Sequence, residues 1–313
     1  MQMMNVMRFN DSPDAPGLLA DNAPVPQPGP GQLCIRVHAA GVTPTEILWY
    51  PTSHYPDGSK RTGAIPGHEF SGVVIAVGAG VNPDQLGREV FGMNDWFADG
   101  ATAEYCLALP SSVVGKPSRL SHAEAASVPI GALTAWQGLY DRAKLRAGER
   151  VLIHGGSGAV GIFAIQLAKR AGAYVITTAS SRNFDFLAQL GADQTIDYRT
   201  TPFEAATGKV EVVFDAVGGD TLRRSWDLLT PGGRMITIAA KSEGTKDDRI
   251  EKAFFIVEPN QPQLSEVARL LETTELQFRV DAIVPLAQAS EAYLGAIQNR
   301  AGRGKVVISI VDQ

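Results

Sequence analysis

A glycine-rich hexamer near the middle of the chain constrains the fold more than any other segment. It comprises Gly156, Ser157, Gly158, Ala159, Val160 and Gly161. The apolar stretch VLIH precedes it, and the helix-like IFAIQLAKRAG and the apolar AYVITTA follow it. Strand, turn, helix and second strand at these lengths are the context in which a GxGxxG match becomes specific. The sequence therefore predicts a βαβ unit of a parallel sheet.

Each part of this hexamer has a chemical use in a dinucleotide site. Glycines let the chain turn sharply and let backbone amides approach a diphosphate, and Gly161 lets helix and sheet pack closely. The helix N-terminus adds partial positive charge. The competing interpretation is a tight turn without a ligand. We expect the hexamer to bind the diphosphate of a dinucleotide.

The end of the next predicted strand bears on the choice of cofactor. An NAD site usually has an Asp or Glu about 20 residues beyond the turn, where it accepts from the ribose 2′-hydroxyl. Here that window contains Ser180, Ser181 and Arg182, and the first carboxylate, Asp185, falls within the following helix. Hydroxyls and a guanidinium suit a 2′-phosphate. The sequence favours NADPH, with Tyr198 as a further hydroxyl, although Arg182 facing water is an open alternative.

The pattern along the chain predicts two domains. Strand-like segments at 33–39, 71–78 and 102–109 make the first third β-rich, and residues 43–66 resemble a long loop. Ser121 and Glu124 have the spacing of a capping box. From residue 150 strands and helices alternate for about 110 residues, which is typical of a doubly wound parallel sheet. The last strand of that series is AFFIVEP; helices at 263–273 and 286–299 and the strand KVVISIV follow.

Composition excludes several classes of protein. The formal charge is −5, so nothing indicates a nucleic-acid or anionic-membrane partner. Two cysteines cannot form a disulfide framework or a four-thiolate zinc lobe. We see no secretory signal and no apolar run long enough to cross a membrane. A cytoplasmic location is the expectation.

Seven motifs follow one another across nearly the whole chain: AAGVTPTE (39–46), IPGHEFSGVVIAVG (65–78), GALTAWQGL (131–139), VLIHGGSGAVG, LGADQTIDY, VFDAVGG and GKVVI. In this order they resemble the medium-chain dehydrogenase/reductase superfamily, in particular its zinc-independent quinone oxidoreductase branch, which includes zeta-crystallin-like and alkenal-reductase-like proteins.

The resemblance implies an α/β fold in which a Rossmann doubly wound parallel sheet is inserted into a GroES-like β-barrel catalytic domain. We place the catalytic domain at 1–122 and 260–313 and the NADP-binding domain at 123–259. Further cofactor contacts implied by the resemblance are Thr134, Gly218, Phe255 and Val257. A homodimer is expected by analogy.

The resemblance also bears on metal chemistry. Alcohol dehydrogenases of this superfamily hold a catalytic zinc with a Cys, a His and a second Cys. The corresponding positions here are Thr43, His68 and Ile130, and an isoleucine supplies no ligand. We therefore expect no metal. His68 is either a hydrogen-bonded structural residue or a polar wall of the substrate pocket, and Glu46 and Glu69 are expected to be structural.

Without zinc, reduction of an activated double bond or a quinone is the less demanding chemistry, because the charge spreads over a delocalised product. We expect hydride transfer to a quinone or α,β-unsaturated carbonyl, with Thr43, Tyr50 and Tyr55 as catalytic candidates. Two alternatives stay open: an enoyl-thioester reductase, for which Lys60 and Arg61 would be part of a phosphate-binding patch, and a non-catalytic NADPH-binding sensor or structural protein.

Overall fold

The computed structural model describes residues 2–10 and 17–311, and the chain divides into two compact units. Unit 1 comprises residues 1–130 and 259–313, and unit 2 comprises residues 131–258. The first division lies at 130/131 rather than at the expected 122/123. The reason is the helix at His122–Ala126, which packs on strands of unit 1.

In chain order, the strands of the described residues are β1 (Met3–Asn10), β2 (Gly17–Pro24), β3 (Leu33–Gly41), β4 (Glu69–Val77), β5 (Glu89–Met93), β6 (Tyr105–Ala108), β7 (Val113–Gly115), β8 (Arg150–His154), β9 (Tyr174–Ala179), β10 (Gln194–Asp197), β11 (Val210–Asp215), β12 (Leu229–Thr237), β13 (Val280–Pro285) and β14 (Lys305–Ser309). The α-helices are α1 (Tyr50–Ser53), α2 (His122–Ala126), α3 (Pro129–Trp136), α4 (Gly161–Arg170), α5 (Phe184–Gln189), α6 (Phe203–Thr207), α7 (Gly219–Ser225), α8 (Asp248–Ala253), α9 (Gln261–Glu272) and α10 (Ala289–Tyr293).

Unit 2 is built on a parallel sheet with strand order β10-β9-β8-β11-β12. The chain builds the sheet outward from β8 in one direction and then returns to the other side of β8 with β11. The strand order therefore reverses next to β8, and ligands of such sheets bind at the carboxyl ends of the strands at this point. Apolar residues of the central strands, such as Leu152, Ile176 and Val213, are fully buried, as expected for a sheet covered on both faces.

Unit 1 is β-rich. Its larger sheet has the order β13-β14-β3-β4-β5-β7, with β6 also paired to β3, and β1 and β2 form a separate antiparallel pair. Strands β3 and β4 supply much of the core, including Leu33, Ile35 and Phe70. The tail returns to this unit as predicted, because β14 pairs with β3. The predicted capping box at the start of α2 is confirmed: Ser121 and Glu124 each accept from the other's backbone amide.

Three local predictions were wrong. The segment AFFIVEP forms no strand; one bridge between Thr237 and Phe254 is its only ladder contact within the described residues. The helix predicted at 286–299 is the short α10, which ends where Gly295 takes a left-handed φ of 71° and caps it. Part of the loop predicted at 43–66 is helical, in a 3₁₀ turn at Pro44–Leu48 and in α1. No helix formed by the described residues is long and apolar enough to cross a membrane.

Candidate functional site

The glycine hexamer connects β8 to α4, as the sequence predicts. The turn starts after β8, the strand beside which the strand order of the sheet reverses. Gly155, immediately before the hexamer, has a φ of 79°, which L residues rarely adopt. The amides at the start of α4 therefore lie at the carboxyl edge of the parallel sheet, where a dinucleotide diphosphate binds in folds of this type.

The three glycines of the motif are required for different reasons. A Cβ on Gly156 would lie 2.1 Å from Thr177 Oγ1, and a Cβ on Gly161 would lie 2.3 Å from the carbonyl oxygen of Gly155. Both contacts are too close for any side chain, so the fold itself requires these glycines. A Cβ on exposed Gly158 would have only the Gly155 oxygen nearby, at 3.3 Å. The space above Gly158 is thus open, which fits the close approach of a ligand.

The predicted phosphate-binding residues lie at the end of β9 and just beyond it. Ser180 is buried, whereas Ser181 and Arg182 are exposed, and Tyr198 follows β10 with 57% of its surface exposed. Asp197, which sequence reasoning missed, lies among them: its Oδ2 accepts the Ser181 amide at 3.1 Å. Hydrogen bonds from the Arg199 backbone and from Ser181 lower the pKa of this carboxyl below its ordinary value. A carboxylate therefore sits beside the proposed phosphate pocket.

A second missed carboxylate organises the loop after β11. Asp215 is fully buried and accepts the amides of Val217 and Gly218 and the hydroxyl of Thr237. Gly218 has a φ of 77°, and a Cβ there would lie 2.4 Å from the Ala239 Cβ. Asp215 therefore holds Gly218, a predicted cofactor contact, in a conformation that glycine alone adopts readily.

The other predicted contacts of unit 2 are buried. Thr134 lies on α3, and the close approach of Gly131 to the Ala159 carbonyl packs this helix against the glycine turn. Phe255 and Val257 lie in the segment after α8, and the Arg142 guanidinium stands 4.6 Å from the Phe255 ring centre. Thr134 therefore belongs to the helix that approaches the hexamer through Gly131.

Unit 1 contains a buried polar group around Thr43. Lys305, the first residue of β14, is 4% exposed and forms an ion pair with the fully buried Glu69. The same ammonium donates to Thr43 Oγ1 at 3.1 Å, and Glu69 also accepts the Ile130 amide at 2.9 Å. Burial raises the pKa of Glu69, and Lys305 acts in the opposite direction.

A second buried network surrounds His68. Its Nδ1 lies 3.2 Å from a Glu46 carboxylate oxygen, and its Nε2 lies 3.3 Å from the Ala98 carbonyl. Glu46 also accepts from the Gly67 amide and from the Tyr293 hydroxyl. Burial alone would raise the pKa of Glu46, but the hydrogen bonds and His68 lower it below its ordinary value. Of the two interpretations of His68, the structure shows the hydrogen-bonded one.

Aromatic side chains of the segment 43–66 divide into two groups. Trp49 is buried, makes an edge contact with Trp96, and its Nε1 is a buried donor without a partner among the described residues. Tyr50 and Tyr55 are each 45% exposed, and Tyr50 stacks on His54 with ring centres 4.3 Å apart. The structure thus leaves both tyrosines accessible.

At the three positions where related alcohol dehydrogenases bind zinc, the side chains of this protein are engaged in other contacts or have no ligand atom. Both ring nitrogens of His68 have hydrogen-bond partners, Thr43 is bound by Lys305, and the Ile130 side chain has no ligand atom. Across residues 2–10 and 17–311, no group of three or more His, Cys, Asp or Glu side chains is arranged to hold a metal ion. These residues do not fit a catalytic zinc.

Two family models match the chain. The alcohol dehydrogenase GroES-like domain matches residues 29–136, and the zinc-binding dehydrogenase model matches residues 190–308. A protein of Arthroderma benhamiae named "Probable zinc-binding oxidoreductase, mitochondrial" is 32% identical, with 96% of both chains covered.

Solved structures of related proteins match nearly the whole chain as well. The quinone oxidoreductase from Coxiella burnetii is 32% identical, with 99% of this chain and 100% of that chain covered and a TM-score of 0.87. The CurK enoyl reductase is 27% identical, with 99% and 100% covered and a TM-score of 0.82.

A Rossmann-like sheet with a dinucleotide-type glycine turn, together with a GroES-like unit, defines an oxidoreductase of the class that uses a nicotinamide cofactor. The chain belongs to the medium-chain dehydrogenase/reductase superfamily and resembles its quinone oxidoreductases. The predicted fold class and family are confirmed.

Proposed function

We propose that the protein transfers a hydride from NADPH to a quinone or an α,β-unsaturated carbonyl compound without a metal. The observation that carries the proposal is the set of side chains at the zinc-ligand positions of the family. Thr43, His68 and Ile130 include one candidate ligand, and the imidazole of His68 is already hydrogen-bonded at both nitrogens. Simple alcohol oxidation would lack its Lewis acid, whereas a conjugated acceptor spreads the developing charge itself.

The nicotinamide supplies the hydride when the cofactor is bound, and the residues of unit 2 would hold the rest of it. The open space above Gly158 and the amides at the start of α4 suit the diphosphate. Ser180, Ser181, Arg182 and Tyr198 would bind the 2′-phosphate, with Arg182 as the charge-assisted donor. Asp197 opposes this assignment electrostatically, so we propose a moderate rather than an absolute preference for NADPH.

Thr43 is the proposed donor to the substrate. As a hydride adds to the far carbon of an enone, negative charge develops on the carbonyl oxygen, and a hydroxyl in hydrogen-bonding distance stabilises it. A proton from solvent then completes the reduction at the neighbouring carbon. The exposed rings of Tyr50 and Tyr55 would contact the body of the substrate, which leaves substrate choice to the segment 43–66.

Enoyl-thioester reduction is the second candidate, and the similarity to the CurK enoyl reductase favours it. The chemistry at the double bond is the same. Arg61, however, does not contribute to a patch for the phosphates of a thioester carrier. It is 5% exposed and its guanidinium is bound by the Pro51 and Ala98 carbonyls and by Asp99.

The experiment is to follow NADPH oxidation with phenanthrenequinone, a short alkenal and crotonyl-CoA as acceptors. Turnover with the quinone or alkenal, unchanged by a chelator, is the expected result. Turnover with crotonyl-CoA alone would select the second candidate. Saturable NADPH binding without turnover would select the non-catalytic alternative, and chelator-sensitive turnover would contradict the metal-free mechanism.

Location and assembly belong to the proposal as well. We propose a cytoplasmic homodimer that acts on a small molecule, with neither nucleic acid nor membrane as partner. The relative from Arthroderma benhamiae is named mitochondrial, so cell fractionation is the test of location. Light scattering at several protein concentrations tests the dimer.

A further inference from the structure

Lys305 is a buried cation with two partners in unit 1. Its ammonium contacts the Glu69 carboxylate and lies 3.1 Å from Thr43 Oγ1. The Ile130 amide donates to Glu69 and holds the carboxylate in place, and the carboxylate in turn fixes the position of the ammonium. The proposed catalytic hydroxyl is therefore in contact with a positively charged group that comes from a strand 262 residues later in the chain.

This contact determines the direction of the Thr43 hydrogen bonds. An ammonium is a donor only, so Thr43 Oγ1 must accept from it. The hydroxyl hydrogen then points elsewhere, and the described residues offer it no acceptor. Thr43 is only half-buried, so this hydrogen is available to a molecule bound next to the residue. A positive charge on the acceptor side also strengthens the hydroxyl as a donor, because hydrogen bonds in a chain polarise one another.

We propose that Lys305 is a positioning residue for hydride transfer, which orients and polarises the Thr43 hydroxyl toward the substrate oxygen that becomes negative. The inference rests on the proposed function, since it assigns a role within that reaction. Lys305 does not touch the substrate. Glu69 neutralises the buried ammonium and keeps it within reach of Thr43.

The test must separate an effect of Lys305 on the rate of hydride transfer from its effect on the stability of the fold. Replacing Lys305 alone would leave Glu69 buried and unpaired, which can unfold the protein. The pair is therefore replaced as a whole: Glu69→Gln together with Lys305→Met removes both charges and leaves neither buried without its partner. This pair replacement, Thr43→Val and the combination of both complete a double-mutant cycle against the wild type. Thermal unfolding and NADPH binding are measured for every variant.

We expect this pair replacement to lower kcat about tenfold or more relative to the wild type, because it weakens the Thr43 donor, and outright removal of a donor to a developing oxyanion costs roughly 10²–10³ in kcat. The Kd for NADPH should not change. Thr43→Val should lower kcat at least as much, and adding the pair replacement to Thr43→Val should cause no further loss. Lys305→Arg with Glu69 retained should keep part of the rate, since a guanidinium also donates.

Lys116 provides the matched control. Its side chain is 6% exposed and pairs with the exposed Glu89 at 3.3 Å, and its ammonium also donates to the Leu120 carbonyl rather than to Thr43. Lys116→Met with Glu89→Gln should leave kcat unchanged. Equal kcat with and without the Lys305–Glu69 pair, or losses from the pair replacement and Thr43→Val that add, would overturn the inference while the proposed function stands. A wild-type protein that reduces no acceptor would overturn both.

Discussion

The Tyr293 hydroxyl donates to Glu46 at 2.9 Å and thereby joins two side chains separated by 247 residues. Both are buried, and Glu46 also lies 3.2 Å from His68. A tyrosine of the returning tail therefore completes the hydrogen bonding of a carboxylate from the opening third of the chain. This contact explains how helix α10, although short, contributes to the stability of unit 1.

Removing that hydroxyl should destabilise the protein. Tyr293→Phe keeps the ring but removes one of the two donors to a buried Glu46 carboxylate oxygen, which keeps only the Gly67 amide, so the free energy of unfolding should fall by about 1–3 kcal/mol. Urea unfolding measures it. Tyr174→Phe, at a half-exposed tyrosine, is the control and should change stability by less than about 0.5 kcal/mol. Equal effects of the two substitutions would contradict the network.

Two glycines of the hexamer lead to two predictions, one for stability and one for dinucleotide binding. Gly161→Ala should lower the free energy of unfolding by about 1–3 kcal/mol, because its Cβ would collide with the Gly155 carbonyl. Gly158→Ala should change stability much less, since its Cβ would meet a single atom, the Gly155 carbonyl oxygen, at 3.3 Å and needs a shift of only a few tenths of an ångström, but it should weaken dinucleotide binding about tenfold. Thermal unfolding and fluorescence quenching by NADPH measure the two effects. Undiminished binding by Gly158→Ala would remove the diphosphate from this turn.

Cofactor preference is predicted from two side chains of opposite charge. Arg182→Asp should weaken NADPH binding about tenfold or more and NADH binding much less, since only NADPH carries the 2′-phosphate. Asp197→Asn should act in the opposite direction, because it removes a negative charge beside Ser181. Dissociation constants for both cofactors measure these changes. If Arg182→Asp weakened both cofactors equally, Arg182 would lie outside the phosphate pocket.

Acid should destabilise the protein partly through His154. This residue is fully buried between the Thr178 and Ser225 hydroxyls, and burial lowers its pKa from 6.5 to about 4. Between these values the unfolded chain binds more protons than the folded one, so stability falls as the pH falls, by up to about 1.4 kcal/mol per pH unit. Above about pH 7.5 the histidine contributes no slope.

The variant that tests this is His154→Gln, whose amide can keep hydrogen bonds to both hydroxyls. Its free energy of unfolding should depend less steeply on pH than that of the wild type within that window. The comparison between the two proteins is essential, because burial raises the pKa of Glu69 and acts in the opposite sense in both. Identical slopes for wild type and variant would show that His154 is not the group responsible.

Local signals in the sequence predicted much of unit 2 correctly. The strand before the hexamer, the turn and helix α4 are set by residues within about 20 positions of one another, and so is the capping box of Ser121. The AFFIVEP segment shows where such signals fail. Its burial alternates from Ala253 to Val257 as in a strand, but within the described residues a single bridge, between Phe254 and Thr237 of β12, is all that pairs it with a strand. Alternation reports burial, whereas a strand also requires a partner.

The polar networks of unit 1 were beyond sequence reasoning for a different reason. Thr43 and His68 were identified from the sequence. Lys305, which donates to Thr43, and Tyr293, which donates to the Glu46 partner of His68, come from the other end of the chain. Pairing across more than 240 residues is set by the path of the sheet rather than by local composition. The lysine within GKVVI was the available signal, because a charged residue at the start of an apolar strand needs a partner if it is buried.

The most direct test of the central claim is hydride transfer by metal-stripped protein from NADPH deuterated at the reactive position. We predict that an alkenal acceptor is reduced at an unchanged rate and that its product carries one deuterium on the carbon far from the carbonyl. A product without deuterium, or activity that returns only when zinc is added, would contradict a metal-free hydride transfer.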